Sequence, residues 1–274
     1  MKNIVVSESK LVLVALAAAL GAVACGGSGS GDTAGGGGAG DSTSSTDAAS
    51  TSTASTTNST SNSTSTASTT TSSGSGGMAA PGLIDDMEDK DGAILTTEGR
   101  QGFWYTYSDG TSTMTPVPNT TFTMGAITPP REASTSAAHM VGMGFTKYGA
   151  GMGFDLNAMG TMKSGFDAST YSGVSFYARI GKGASAALRV NISDKDTAPE
   201  GGVCAADKCN DHFGTDITLT EDWKQYTVKF ADLKQVGYGQ AFPKFLTNAL
   251  YGMAFAVGTK VSFDVWIDDL RFVK

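Results

Sequence analysis

From Gly26 to Gly77 the chain holds no aromatic and no large aliphatic side chain; it is Gly, Ser, Thr and Ala with a few Asn and Asp. Such a segment cannot bury enough apolar surface to offset the entropy lost in ordering its backbone. Anything that folds must therefore do so from residue 78 onward. A flexible coil of roughly fifty residues has a root-mean-square span of about 40 Å, so the stretch reads as a tether. Its sequons, beginning at Asn58 and Asn62, would matter only in a eukaryotic secretory pathway. Residues 78–274 are of a size for one β-sandwich domain, and they contain no internal repeat.

The N-terminus carries Lys2 and Lys10, an apolar run from Leu11 to Leu20, and then Gly21, Ala22 and Ala24 before Cys25. That order is basic, apolar, small-residue, as in a secretory signal spanning 1–24. The run is shorter than the roughly 20 residues needed to cross a bilayer. Ala22-Val23-Ala24-Cys25 resembles the bacterial lipobox, with Ala22 where Leu is usual. The resemblance implies that Cys25 becomes the first mature residue and is acylated on its sulfur and amino group, a stable anchor when several chains are attached. Gly26 after Cys25, in place of Asp, points to an outer-membrane or surface address in a Gram-negative cell. Ordinary cleavage after Ala24, leaving a free Cys25 thiol, is the alternative.

The formal charge of −7 and pI near 4.8 lack the basic footprint of a nucleic-acid binder. Besides Cys25 there is one close pair, Cys204 and Cys209, among Gly201, Gly202 and Asn210. Outside the cell such a pair is expected as a disulfide. A zinc site with His212 would need further ligands at metal spacing, and none stands nearby.

Past the tether, apolar residues alternate with period two, and Gly, Pro, Asn and Asp punctuate them, which predicts an all-β sandwich. The expected strands are Leu83 to Glu88, Gly102 to Tyr107, Ala137 to Phe145, Gly151 to Leu156, Gly173 to Ile180, Ala186 to Ser193, Thr215 to Leu219, Gln225 to Phe230, Leu250 to Ala256 and Phe263 to Val273. One short helix is expected near Ala231 to Lys234. Alternation places Arg189, Asn191 and Ser193 on one face, opposite Leu188, Val190 and Ile192. Gly149, Gly151 and Gly153 alternate with Met152, Phe154 and Leu156, so one face of that strand is bare; it admits a ligand or another backbone, or else marks a bulge or turn.

Several segments, in order, resemble carbohydrate-binding modules of the galactose-binding-like jelly-roll group, in particular family eleven. They are Ile84-Asp85-Asp86-Met87-Glu88-Asp89, Gly102-Phe103-Trp104-Tyr105, the Tyr171 to Arg179 strand, Trp223-Lys224-Gln225-Tyr226 and Val265-Trp266-Ile267-Asp268-Asp269-Leu270. Cys209-Asn210-Asp211-His212-Phe213-Gly214 falls outside the pattern, and its role is open. The resemblance implies a jelly-roll β-sandwich, with first and last strands adjacent. It also implies a structural calcium held by Asp86 or Glu88 with Asp268 or Asp269, a hard cation seeking six to eight oxygens. The alternative is solvated charge at strand ends.

A sugar site mixes aromatic faces, for pyranose C–H surfaces, with side chains that match hydroxyls. Tyr105 and Tyr107 share one strand face opposite Trp104, and the family's Trp is packed inside. The expected site is therefore Tyr105 and Tyr107 with Arg189 and Asn191, joined by His212 and Tyr238 from loops. Ordinary sheet-surface packing is the alternative for each. Of the domain's glutamates, Glu88 is better explained by calcium and the others have no obvious acidic partner for glycoside hydrolysis, and no phosphate loop or nucleophile elbow is present. The sequence thus points to non-catalytic carbohydrate binding, possible ligands including β-glucan, by an exported, membrane-anchored lipoprotein. A surface adhesion protein binding a protein partner, and a weak glycoside hydrolase or lyase, are the other readings.

Overall fold

The computed structural model describes residues 80–274. The signal, Cys25 and the tether fall outside the described residues. The strands are, in chain order, β1 (Leu83–Asp85), β2 (Trp104–Ser108), β3 (Met114–Thr115), β4 (Gly125–Arg131), β5 (Ser134–Met143), β6 (Ala150–Asp155) and β7 (Ala158–Met159). They continue as β8 (Met162–Lys163), β9 (Gly173–Ile180), β10 (Ala187–Asp194), β11 (Phe213–Thr218), β12 (Lys224–Lys229), β13 (Leu250–Val257) and β14 (Ser262–Val273).

Two antiparallel sheets face each other as a jelly-roll sandwich. One runs β12-β9-β14-β5-β3, with β1 added to β14 and β4 to β5; the other runs β11-β10-β13-β6-β2. The alternation read in the sequence is the reason: in β10, Leu188, Val190 and Ile192 are buried while Arg189, Asn191 and Ser193 are half-buried on the outer side. Trp104 lies between the sheets, 3% exposed, its ring against Phe122, Phe154 and Phe255 and its indole N–H donated to Asp85 at 2.7 Å.

β1 is shorter than expected. Asp85 accepts the Met87 N–H at 2.9 Å, and Met87 itself has φ 60°, which turns the chain out of the sheet. The strand is fastened instead by Arg100. Its guanidinium is fully buried, pairs with Glu98 at 2.7 Å, donates to the Leu83 carbonyl and lies over the Phe166 and Phe272 rings. Glu98 also accepts the Gly82 N–H at 3.1 Å.

The helix expected at 231–234 is a single 3-10 turn, Phe230–Asp232, because Leu233 already returns to extended backbone. β4 was not anticipated: Pro129 and Pro130 have no N–H to give to a ladder, and its pairing with β5 is interrupted between Ala126 and Arg131. Among the described residues no helix is long and apolar enough to cross a membrane.

Candidate functional site

The outer face of the five-stranded sheet gathers the expected sugar-binding residues. Cross-strand register aligns Tyr107, Gly151, Ala256, Arg189 and Asp216 in one row, and Tyr105, Gly153, Ala254, Asn191 and Gly214 in the next. The tyrosines on β2 and the polar pair on β10 therefore stand on either side of a floor of Gly and Ala. Three strand spacings separate β2 from β10, about 14 Å, so the floor is the bottom of a trench running parallel to the strands.

Gly151 shapes this trench. β6 runs without a bulge against both neighbours, and a Cβ on Gly151 would stand 2.5 Å from the Tyr107 hydroxyl and 2.6 Å from its Cζ. The bare strand face thus admits the tip of the Tyr107 phenol from the neighbouring strand. The Tyr105 and Tyr107 centroids are 6.4 Å apart. Burial pushes both phenols well above the ordinary tyrosine range, so they stay protonated donors.

On the opposite wall Arg189 is partly committed. It donates to Asn191 Oδ1 at 3.0 Å and to the Lys234 carbonyl at 2.7 Å, and pairs with Asp216 at 3.4 Å. The Asn191 amide nitrogen makes no hydrogen bond to another described side chain or backbone group.

The Asp211-His212-Phe213-Gly214 segment, which the strand pattern left open, has four separate tasks. Buried Asp211 accepts the N–H groups of Val236, Gly237 and Gly239 at 2.8–3.2 Å, folding the loop that carries Tyr238. Tyr238, 65% exposed, donates to the Asn210 carbonyl. Phe213 enters the core, and Gly214 leaves room for Asn191 and Arg189. His212 turns into a small polar cavity beyond the Asn191 row.

This cavity, about 120 Å³, is shared by Tyr105, Asp155, Lys163, Glu200, Asn210, His212 and Tyr251, among others. Lys163 bridges Asp155 at 3.0 Å and Glu200 at 3.2 Å. Burial pushes the Asp155 carboxyl up against the opposing pull of Lys163. Burial also acts to raise Glu200, but its own backbone N–H and the Lys163 ammonium outweigh it, leaving the group below the usual range.

His212 is pushed down to about 4 by burial, so it is neutral near pH 7. Its Nδ1 lies 3.0 Å from Thr197 Oγ1. That hydroxyl gives its hydrogen to Asp194, whose oxygens also accept the Thr197 and Leu246 N–H groups. Nδ1 must then carry the imidazole proton, leaving Nε2 a bare acceptor.

Asp155, Lys163, Glu200, Asn210 and Tyr251 were not anticipated. Asp155 was legible, since it follows Gly151 and Gly153 on the same strand face. Tyr251 was not, because β13 carries one extra residue opposite the Ser193–Asp194 step and this bulge swings it outward. Cys204 and Cys209 are joined as expected, at 2.04 Å.

The expected calcium residues lie on the other sheet. β1 does pair with β14, and Ser134 Oγ donates toward both Glu88, at 3.1 Å, and Asp268, at 2.7 Å. Asp86 only accepts the Glu88 N–H, at 3.3 Å. The donor set is otherwise committed. Glu88 accepts from Thr135 and Ser136 at 2.7–3.0 Å, which holds it below the ordinary range although burial acts to raise it. Arg131 pairs with Asp268 at 2.8 Å and Asp269 at 2.5 Å. Among the described residues no three His, Cys, Asp or Glu side chains are arranged to hold a metal. In this conformation the residues do not fit a calcium shell; a guanidinium holds the place of the cation.

The same face bears half-buried rings, but they are engaged. Arg131 lies 4.0 Å over Tyr177, Arg179 lies 5.3 Å from Trp223 and 4.8 Å from Trp266, and His139 stacks on Trp266 at 3.6 Å. A separate cleft of about 570 Å³ opens between Phe213, Phe230, Phe242 and Phe245 with Lys234 and Lys244. Gln235 and Thr247 line it too, but the Gln235 amide is already bonded to the backbone of Asp211, Gln240 and Phe242.

No protein-family model matches the chain, and no curated protein does. Among solved structures it is similar to the family 11 carbohydrate-binding module of a cellulosomal cellulase of Clostridium thermocellum, at 13% identity and TM-score 0.45 over 70% of this chain and 92% of that one. The same family's module in complex with a β-1,3-1,4-mixed-linked tetrasaccharide gives 14% identity and TM-score 0.46 over 70% and 94%. A family 30 carbohydrate-binding module from the same organism gives 14% identity and TM-score 0.44 over 68% and 94%.

Proposed function

We propose that the domain binds an oligosaccharide or polysaccharide, without chemistry, in the trench on the five-stranded sheet. The observation that carries this reading is the pairing of Tyr105 and Tyr107 with Arg189 and Asn191 across a Gly and Ala floor. Ring faces on one wall suit the C–H surface of a pyranose, and amide and guanidinium groups on the other suit its hydroxyls. Asp155 and Glu200, at one end of the trench, have the Lys163 ammonium between them, where hydrolysis would need the glycosidic oxygen or its water.

Affinity gel electrophoresis against soluble glucans, mannans and galactans tests the reading, with β-glucans first in the panel. Retardation of the wild type that is lost in Tyr105→Ala/Tyr107→Ala supports it; no retardation by any glycan overturns it.

The protein would hold such a glycan at a membrane surface through lipid on Cys25. Labelling with a fatty-acid analogue should mark the wild type and spare Cys25→Ser, and an unlabelled wild type would refute the anchor.

A further inference from the structure

The trench is closed at one end. Going along the strands from the Tyr107 row to the Asp155, Gly252 and Ser193 row covers four residues, about 13 Å. Beyond that last row stand Lys163 and the loop that follows β10, carrying Pro199, Glu200, Asn210 and His212. This wall is fixed: the Cys204–Cys209 disulfide ties it to itself, and the Ala205 N–H donates to the Gln240 side chain at 3.1 Å, the Gln240 N–H to the Lys208 carbonyl at 2.8 Å and the Asn210 N–H to the Thr197 carbonyl at 2.9 Å. A linear chain lying in the trench would meet this loop at that end.

We infer that the cavity is a chain-end subsite for a neutral sugar, a specificity that rests on the proposed binding function. At about 120 Å³ it is smaller than the roughly 300–1,000 Å³ of an ordinary ligand pocket, so it takes one edge of a terminal residue while the rest of the chain lies along the trench. Its groups converge on hydroxyls. His212 Nε2 accepts, the Tyr105 hydroxyl and the Asn210 side-chain amide make no hydrogen bond to another described residue, and the Lys163 ammonium and the free oxygens of Asp155 and Glu200 can share a pair of adjacent hydroxyls. Two carboxylates and one ammonium, beside a neutral imidazole, leave one net negative charge. A uronate or sulfate ester would enter against that charge and have to shed its hydration to do so.

The test uses the described domain on its tether with calorimetric titration. The probes are cello-, laminari- and manno-hexaose, the parent polysaccharide of whichever hexaose binds, and a galacturonate oligomer of the same length. Chain-end binding predicts one domain per chain for hexaose and polysaccharide alike; several domains per polysaccharide chain would overturn the end subsite.

The charge argument predicts at least ten-fold weaker binding of galacturonate than of the neutral hexaose, and a narrowing of that ratio by three-fold or more in Glu200→Gln at an unchanged melting temperature. Glu200 is half-exposed, so the variant tests the cavity rather than the fold. An unchanged ratio overturns the neutral-sugar assignment while leaving the trench in place. Absence of any glycan binding, including by the Tyr-bearing wild type, would instead remove the proposed function itself.

Discussion

On the outer face of the seven-stranded sheet Tyr177, Trp223 and Trp266 each have a guanidinium or imidazole against the ring, and the carboxylates beside them are bound by Arg131 and Ser134. On the outer face of the five-stranded sheet Tyr107 stands over Gly151 and Tyr105 is aligned with Gly153, and the cation near them, Lys163, lies 5.8 Å from the Tyr105 centroid with its bonds made to carboxylates. Both faces carry aromatics, cations and acids. The difference is in pairing: a ring sandwiched by a cation stabilises the fold, and a ring laid over bare backbone has a face left for something else. Counting exposed aromatics in the sequence would have favoured the tryptophan face.

The largest expected effect breaks the paired face. Arg131→Ala leaves Asp268 buried without its counter-charge and should cost roughly 3–5 kcal/mol of stability, read by thermal or urea unfolding, with glycan affinity of the folded fraction unchanged. Chelator should leave the wild-type melting curve in place. A drop restored by added calcium would mean that a metal displaces Arg131.

On the trench face the order reverses. Tyr107→Ala should weaken glycan binding by about 1–2 kcal/mol, roughly ten-fold, with a smaller change in stability. Trp266→Ala should leave binding alone and lower the melting temperature. If Trp266→Ala instead weakens binding more than Tyr107→Ala, the two faces have been assigned the wrong way round.

Gly151→Ala sharpens the contrast from within the trench. The new methyl meets the Tyr107 ring and the Phe255 carbonyl at 2.5–2.7 Å, so overpacking of about 1–2 kcal/mol is expected, and the affinity should fall several-fold because the ring is lifted.

The smallest effect is in the pH profile. His212 titrates near 4 when folded, against an ordinary value of 6.5, so the unfolded chain takes up its proton first. The stability it contributes is complete above about pH 6.5 and is lost as pH falls toward 4, on the order of 1 kcal/mol after allowing for its partial exposure. His212→Asn should flatten the loss of stability between pH 7 and pH 4 by that amount; an equally steep fall would refute the assignment.

The sandwich was legible because burial on one side writes a period of two directly into the chain, as in Leu188 to Ser193. The trench walls were legible for the same reason, Tyr105 and Tyr107 being fixed opposite Trp104. Features that break the period were not: the bulge that turns Tyr251 outward, the proline-interrupted β4, and the two-residue strands that place Lys163. The resemblance located Glu88, Asp268 and Asp269 near one another, but the residue that neutralises Asp268 and Asp269 is Arg131, on the strand that the prolines hid.

The fastening of β1 has a mechanical consequence. If the proposed anchor at Cys25 and the proposed glycan binding both hold, a pull on a captured glycan would reach the three residues from Leu83 to Asp85. Their ladder with β14 is too short to bear such a load alone. Arg100, bonded to the Leu83 carbonyl and lying over the Phe166 and Phe272 rings, would then act as a cleat that shares the load with the core.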